Sequence, residues 1–138
     1  MIFPASTNGG GTCVAFPDVC KTPSPGGPVP IPYPNTTQCT AIKGSTASSK
    51  VKICNKKTAT VQTETSNSNG DEAGTAGGVV SNKNMAGGKY LMGSTQVLVE
   101  GKQVAHLTSM MGQNDPSNSN APPGNQVAPS QAQVTVSP

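Results

Sequence analysis

The segment Val51-Lys-Ile-Cys-Asn-Lys-Lys-Thr-Ala-Thr-Val61 aligns without gaps on Val97-Leu-Val-Glu-Gly-Lys-Gln-Val-Ala-His-Leu107. Both copies alternate side-chain types around a central turn, at Asn55-Lys56 in the first copy and at Gly101-Lys102 in the second. Because Asn and Gly tolerate the positive φ that a tight turn requires, both copies predict β-hairpins. A single hairpin is barely stable in water. Unless the similarity arose by chance, we expect a pseudo-symmetric body in which the hairpins pack on one another or on a partner's sheet.

The composition favours strands and turns over helices. The chain has 138 residues, of which 33% are hydrophobic, and it contains 16 Gly and 13 Pro. Gly loses backbone entropy in a helix, and Pro removes a donor and clashes with the preceding turn. The length fits a single domain. The sequence therefore predicts a mainly β fold of short hairpins and long loops, with little helix and a small core.

A proline-rich segment follows the first apolar cluster of the chain. In Pro28-Val-Pro-Ile-Pro-Tyr-Pro34, proline alternates with a large side chain, so every second backbone donor is missing. Such a segment cannot be a central strand. We expect an edge strand or extended strap anchored by Val29, Ile31 and Tyr33. The alternative is a free linker or a ligand for an aromatic groove.

The C-terminal part of the chain differs in composition from the rest. Residues 113–138 are almost wholly polar, rich in Ser, Asn, Pro and Gln, and lack aromatic side chains. This composition predicts a flexible tail, separate from a folded domain over residues 1–112. Within the tail, Val134-Thr135-Val136 has the pattern of a short strand that can add to an exposed edge.

Charge and apolar runs exclude several classes of partner. Nine Lys, no Arg and six acidic residues give a net charge of +3 without a dense basic block. Nucleic-acid readers favour the bidentate fork of Arg, so we expect no nucleic-acid partner. No apolar run has the length of a transmembrane helix, and we expect no stable membrane association. The N-terminal residues lack the basic and apolar regions of a secretory signal, which predicts synthesis in the cytoplasm without a signal peptide.

Three stretches together resemble the PAAR-like domain family. They are Ala15-Phe-Pro-Asp-Val-Cys-Lys-Thr-Pro23, Gly27-Pro-Val-Pro-Ile-Pro-Tyr-Pro-Asn35 and Gly70-Asp-Glu-Ala-Gly-Thr-Ala-Gly-Gly-Val-Val-Ser81. The similarity spans roughly residues 8–112 in the family's order. It implies a small conical or pyramidal β-structure, a PAAR-like spike-tip domain, that sits on the threefold end of a VgrG-like spike trimer.

The same resemblance implies a function. Such a tip sharpens the spike of a type VI secretion system or related contractile injection apparatus, with one tip per trimer, and often carries effector cargo. It implies delivery outside the cell or into a target cell. A small apolar core agrees with this role, because a docked partner would complete the core and cover strand edges.

The candidate metal ligands are the four cysteines and the single histidine. PAAR proteins hold an apex zinc with histidines and a cysteine, so the resemblance implies a structural zinc, although this chain has only one His. Thiolates and imidazole suit zinc. We expect Cys20, Cys54 and His106 as ligands, with Cys13 or Cys39 as the fourth. Two disulfides, or one disulfide with two buried thiols, are the alternatives.

The sequence gives little support for an enzyme. No nucleophile elbow accompanies His106, and Asp71-Glu72 are neighbours that point to opposite faces of an extended chain, which predicts a solvated turn. The other functional classes are a small secreted, disulfide-stabilised binding protein, the N-terminal type of delivery module of a toxin, and a toxin fragment with activity of its own.

Overall fold

The computed structural model describes residues 2–120 and 123–138 and is mainly β, as predicted. Its helical content in these ranges is one 3₁₀ turn, Cys39–Ala41. No helix in the described part of the chain has the length and apolar character needed to cross a bilayer. The strands, in chain order, are β1 Phe3–Pro4, β2 Thr12–Thr22, β3 Val29–Gln38, β4 Ser48–Ile53, β5 Lys56–Thr58, β6 Lys89–Tyr90, β7 Leu98–Val99, β8 Lys102–Gln103, β9 Met110–Gly112, β10 Gly124–Ala128 and β11 Thr135–Val136.

The largest sheet has five antiparallel strands in the order β3-β2-β10-β9-β6. The proline-rich β3 lies at the edge of this sheet, which confirms the predicted edge strand. Its outer row of missing donors protects the edge from pairing with another chain. Two of its three expected anchors are not buried, since Val29 is 46% and Ile31 37% exposed. Tyr33 is half-buried, and its hydroxyl lies 2.6 Å from Thr22 Oγ1.

Both predicted hairpins are present, and both turn one residue earlier than expected. Strands β4 and β5 join through Cys54-Asn55, and strands β7 and β8 join through Glu100-Gly101. All four turn residues have positive φ, between 51° and 79°. Positive φ at both central positions is the geometry whose twist matches that of the flanking strands. The residues that the alignment equates at the two turns therefore have the same backbone conformation.

The chain ends form a third strand pair of the same kind. Strand β11 pairs antiparallel with β1, so that Val136 faces Phe3 as Val99 faces Lys102 and Ile53 faces Lys56. The three outer strands share one sequence pattern, a valine followed two residues later by Val or Ile: Val51-Lys-Ile53, Val97-Leu-Val99 and Val134-Thr-Val136. The hairpin repeat thus has three structural copies, one of which is split between the two ends of the chain.

The three copies meet in a closed backbone ring. Ser6 N–H donates to Ala105 O at 2.8 Å, Ala105 N–H to Ala59 O at 3.0 Å, and Ala59 N–H to Ser6 O at 2.9 Å. We call these residues the threefold ring, and all three are fully buried. Their neighbours pair in the same cyclic order: Ala5 with His106, Thr7 with Thr58 and Thr60 with Val104. Beside the ring lies one buried apolar cluster, Ala5, Val99, Val104 and Val136, against which the partly buried Ile53 and Val97 pack.

Segment 113–138, predicted to be a flexible tail, supplies two strands to this fold. Strand β10 lies between β2 and β9 in the five-stranded sheet, and β11 completes the third strand pair. Buried Gln126 explains how so polar a segment packs. Its amide accepts hydrogen bonds from Ser6 and from Tyr90 at 2.8 Å and donates to Ala128 O at 2.9 Å. A polar side chain whose partners are all present can occupy a core position.

Candidate functional site

Asp18, Cys20 and Asp71 form a buried cluster beside the C-terminal half of strand β2. The carboxylate oxygens and the thiol lie within 4.8 Å of one another, and all three side chains are fully buried. This is the one group of three or more potential metal ligands among residues 2–120 and 123–138. We call it the Asp18–Asp71 cluster.

A β-bulge in β2 turns Asp18 and Cys20 inward. Ala15 pairs with Asn35 and Asp18 pairs with Tyr33, so β2 has one residue more than β3 between these pairs. The extra residue shifts the in-out alternation, and Asp18 and Cys20 then face the same interior as Cys13 and Ala15.

The loop from Gly70 to Ser81 closes over this end of β2. Lys21 N–H donates to Gly77 O at 2.8 Å, and Val79 N–H donates to Val19 O at 3.1 Å. The approach requires glycine, because a Cβ built on Gly74 would lie 2.3 Å from the Cβ of Cys20. The loop thereby brings Asp71 to the thiol of Cys20.

Amide side chains surround Asp18. Asn35 Nδ2 lies 2.7 Å from Asp18 Oδ2, Asn114 Nδ2 lies 3.3 Å from Asp18 Oδ1, and Asn120 also donates to Oδ1. Cys20 Sγ lies 3.5 Å from Asp18 Oδ1 and 3.5 Å from Asp71 Oδ2. These donors fix the orientation of the Asp18 carboxyl group.

The electrostatics of the cluster are unbalanced. Burial, and then the charge of Asp18 nearby, raises the pKa of Asp71 above its ordinary value. Burial and the two carboxylates likewise raise the pKa of the Cys20 thiol. Among the described residues neither carboxylate has an ion-pair partner. The two ion pairs there join Lys43 to Glu64 and Lys83 to Asp115. Two buried carboxylates without a cation require either a retained proton or a bound positive ion.

The donor set of the cluster fits a metal such as zinc. One thiol and two carboxylates are all groups that zinc accepts. In addition, Asn35 Oδ1 is buried without a hydrogen-bond partner, although its own Nδ2 contacts Asp18. This buried oxygen without a partner lies on a side chain that contacts the cluster. The amides that hold Asp18 resemble the outer partners that orient ligating carboxylates in metal sites.

A comparison with protein families places the chain. The model of the toxin PAAR-like domain, Tox-PAAR-like, matches residues 11–123. The chain belongs to this family. The match confirms the resemblance inferred from three stretches, two of which, 15–23 and 70–81, supply the Asp18–Asp71 cluster. No curated protein and no solved structure shows significant similarity to the chain.

The predicted metal ligands of this Tox-PAAR-like chain lie in three separate environments. Cys20 belongs to the Asp18–Asp71 cluster. Cys54 is exposed in the β4–β5 turn, 3.4 Å from Gln133 Oε1. His106 stacks on Phe3 with ring centroids 5.5 Å apart, and its Nδ1 lies 2.6 Å from Leu107 O. The structure does not bring these three together, because the hairpin repeat fixes Cys54 at a turn and His106 beside the threefold ring.

The two candidates for the fourth ligand lie in the apolar core rather than with Cys20. Cys13 and Cys39 are fully buried and belong to one core cluster with Tyr90 and Met111. All four cysteines of the chain are free thiols. Neither predicted disulfide arrangement is present.

Sequence reasoning missed the carboxylates and amides of the site. Asp71 is fully buried, so the expectation of a solvated turn at Asp71-Glu72 is wrong for Asp71. Glu72 is exposed and accepts the Gly70 N–H at 2.9 Å. The signal was available, because Asp18 and Asp71 lie inside the stretches that carry the family resemblance. Asn114 and Asn120 had no such signal, since they lie in the segment expected to be a tail.

Proposed function

We propose that this chain is a non-enzymatic tip protein that caps and sharpens a VgrG-type spike trimer in a type VI secretion system or related contractile injection apparatus. The observation that carries the proposal is the threefold ring with its three strand pairs. One chain with this internal symmetry offers three related faces, which a partner with threefold symmetry can match subunit by subunit. The expected complex therefore contains one tip per trimer.

Exposed apolar side chains on the strand pairs support a partner at this layer. The leading valines of the three copies are related by the internal symmetry, and Val51 is 38% and Val134 40% exposed, while Val97 is half-buried. Apolar residues placed at related positions are a surface that a symmetric partner would cover. We propose that this face contacts the trimer.

The experiment is reconstitution with the VgrG-type protein encoded beside the chain. Native mass spectrometry is expected to give one chain per three spike subunits. The double variant Val51→Asp/Val134→Asp is expected to bind at least tenfold more weakly, because two charges would be buried at the contact. Val127→Asp is the matched control, since Val127 is exposed on β10, outside the three strand pairs. A complex with three chains per trimer, or no complex, would contradict the proposal.

A toxin delivery module is a second candidate, and the description of the matched family as a toxin PAAR-like domain favours it. In this role the chain is made in the cytoplasm, is loaded on the apparatus, and carries an effector out of the cell or into a target cell. Expression of the chain alone inside a cell is expected to leave growth unchanged. A reporter fused to the chain is expected to reach target cells in an apparatus-dependent way. Killing by the chain alone would instead indicate an activity of its own.

We also propose that the Asp18–Asp71 cluster holds a structural zinc ion. The support is the donor set of Asp18, Cys20 and Asp71, together with the unpartnered Asn35 Oδ1. Protein purified without chelators is expected to contain zinc in near-stoichiometric amount. Cys20→Ser and Asp71→Asn are expected to lose the metal, whereas Cys54→Ser is expected to retain it. A wild-type protein that takes up no zinc when the metal is supplied would overturn this assignment.

A further inference from the structure

Cys13 and Cys39 lie side by side across the β2–β3 strand pair. Cys13 pairs with Thr37, and Cys39 follows two residues later on the same face, because side chains alternate along a strand. The backbone N–H of Cys39 donates to Gly11 O at 3.0 Å, which continues the pairing to the end of β3. The two cysteines are therefore diagonal neighbours on one face of the strand pair, and both of their thiols contact Tyr90.

The two thiols share one hydroxyl group. Tyr90 Oη lies 3.3 Å from Cys39 Sγ and 3.8 Å from Cys13 Sγ, so one hydroxyl group contacts both thiols. Tyr90 Oη in turn donates to Gln126 Oε1 at 2.8 Å, so the tyrosine is held in place by β10. All four side chains are buried. The two thiols are thus held next to the same tyrosine within the core.

The other two cysteines cannot take part in this pair. Cys20 contacts Asp18, Asp71, Asn114 and Asn120, and Cys54 lies exposed in a turn beside Gln131 and Gln133. Neither of them contacts Tyr90 in the described structure. Among the four cysteines, the geometry joins one pair.

We propose that Cys13 and Cys39 form an oxidisable dithiol that closes to an intramolecular disulfide by exchange with a low-molecular-weight disulfide. The Cys39 thiolate attacks one sulfur of the oxidant RS–SR, which forms a mixed disulfide and releases one RS⁻. The Cys13 thiolate then attacks the Cys39 sulfur and releases the second RS⁻. Both protons pass to the released thiolates, so the protein loses two hydrogens and one RS–SR is reduced to two RSH.

The environment assigns the order of these two steps. Tyr90 Oη lies closer to Cys39 Sγ, at 3.3 Å, than to Cys13 Sγ, at 3.8 Å. Interaction with the Cys13 thiol, and then with this hydroxyl, lowers the pKa of Cys39 to about 7, whereas interaction with Cys39 and burial raise the pKa of Cys13. Since the thiolate is the attacking species, Cys39 is the residue that reacts first. Its chain neighbours Gln38 and Thr40 are exposed, so a local opening of the 3₁₀ turn brings Cys39 to solvent.

The disulfide would close a loop that contains the whole β2–β3 pair after residue 13. A cross-link of this kind stabilises a protein mainly by restricting the unfolded chain. Oxidised protein is therefore expected to unfold at a higher denaturant concentration than reduced protein. The proposal does not depend on the spike-tip function and applies to the isolated chain.

The experiment uses the full chain with Cys54→Ser, which removes the exposed thiol. The folded protein is incubated with oxidised glutathione, quenched with acid, and labelled with a maleimide in denaturant. Three labels are expected before oxidation and one after it, the remaining label being on Cys20. Peptide mapping is expected to find the link between Cys13 and Cys39.

Matched variants separate this pair from other pairings. Addition of Cys13→Ser or Cys39→Ser to Cys54→Ser is expected to abolish the disulfide, while Cys20→Ser is expected to leave it in place. Peptide mapping of the Cys54→Ser protein gives the pairing even if the additional variants fail to fold. The proposal is overturned if Cys20 appears in the mapped disulfide. It is also overturned if all three thiols stay reduced, both in the folded protein and after refolding in the presence of oxidised glutathione.

Discussion

Phe3 and Val136 face each other across strands β1 and β11, at the positions that Lys102 and Val99 occupy in the β7–β8 hairpin. Two residues from opposite ends of the chain thus complete a repeat whose other copies are continuous. Because β11 lies in a segment of polar composition, its few apolar residues have large effects on the fold. The stability prediction for Val136 rests on this pairing of β1 with β11.

Substitution of Val136 by Ala tests the third strand pair. Val136 is 7% exposed and packs in the apolar cluster beside the threefold ring, whereas Val127 on β10 is 60% exposed. Val136→Ala is expected to lower the free energy of unfolding by about 2 kcal/mol, from two lost methyl groups and a small cavity. Val127→Ala is the control and is expected to change it by less than about 0.5 kcal/mol. Urea unfolding measures both, and equal effects would contradict the split repeat.

Substitution of Gly124 tests whether segment 113–138 belongs to the central sheet. A Cβ on Gly124 would lie 2.0 Å from Val14 O, while a Cβ on Gly26 would meet nothing within 4 Å. Gly124→Ala is expected to destabilise the protein by about 1–3 kcal/mol or more, because backbone must move. Gly26→Ala is expected to be neutral within about 0.5 kcal/mol. A Gly124→Ala protein with unchanged thermal unfolding would indicate that β10 does not pack against β2.

The β7–β8 turn contains a residue that fits its backbone conformation poorly. Glu100 has φ 51° and Gly101 has φ 79°. Asn adopts positive φ more readily than Glu and is favoured before Gly in such turns. Glu100→Asn is expected to stabilise the protein by about 0.5–1 kcal/mol, as measured by differential scanning calorimetry. Gly101→Ala is expected to act in the opposite direction, since it places a side chain at positive φ.

The raised pKa of Asp71 predicts a loss of stability as the pH rises. Burial makes the folded protein bind the Asp71 proton more tightly than the unfolded chain does. The stabilisation is full below the unfolded pKa and is lost as the pH rises through the folded pKa. In chelator-treated protein, Asp71→Asn is expected to flatten this dependence above pH 4, as followed by urea midpoints. Glu72→Gln, at the exposed neighbour, is the control and is expected to retain the wild-type slope.

The mainly β class of the fold could be predicted from local sequence. Prolines at every second position of residues 28–34 removed backbone donors, which is a local property, and they predicted the edge strand correctly. The alignment of 51–61 on 97–107 predicted two hairpins, since turn residues and alternation act within a few residues. The turns lie one residue earlier than predicted because Cys54 and Glu100 adopt positive φ, a conformation that neither residue type favours.

Only one residue of the candidate site was named from the sequence. Cys20 was predicted as a metal ligand, but its neighbours Asp18 and Asp71 reach it through a bulge in β2 and a loop that folds back over it. Cys54 and His106 were predicted as its companions because they lie on the two paired hairpins. Their distance from Cys20 is set by long-range pairing, which the hairpin pattern does not report.

The amino-acid sequence was enough to predict a β-protein of hairpins and turns, because φ preferences, missing donors and side-chain alternation act locally; the family followed from the resemblance of three stretches, 15–23, 27–35 and 70–81. Tertiary structure alone decided that the chain ends make a third copy, that Asp18 and Asp71 share one buried space, and that Cys13 meets Cys39. These outcomes depend on which distant strands pair. Pairing is selected by the summed burial and hydrogen bonding of the whole fold, a quantity that no short stretch of residues carries.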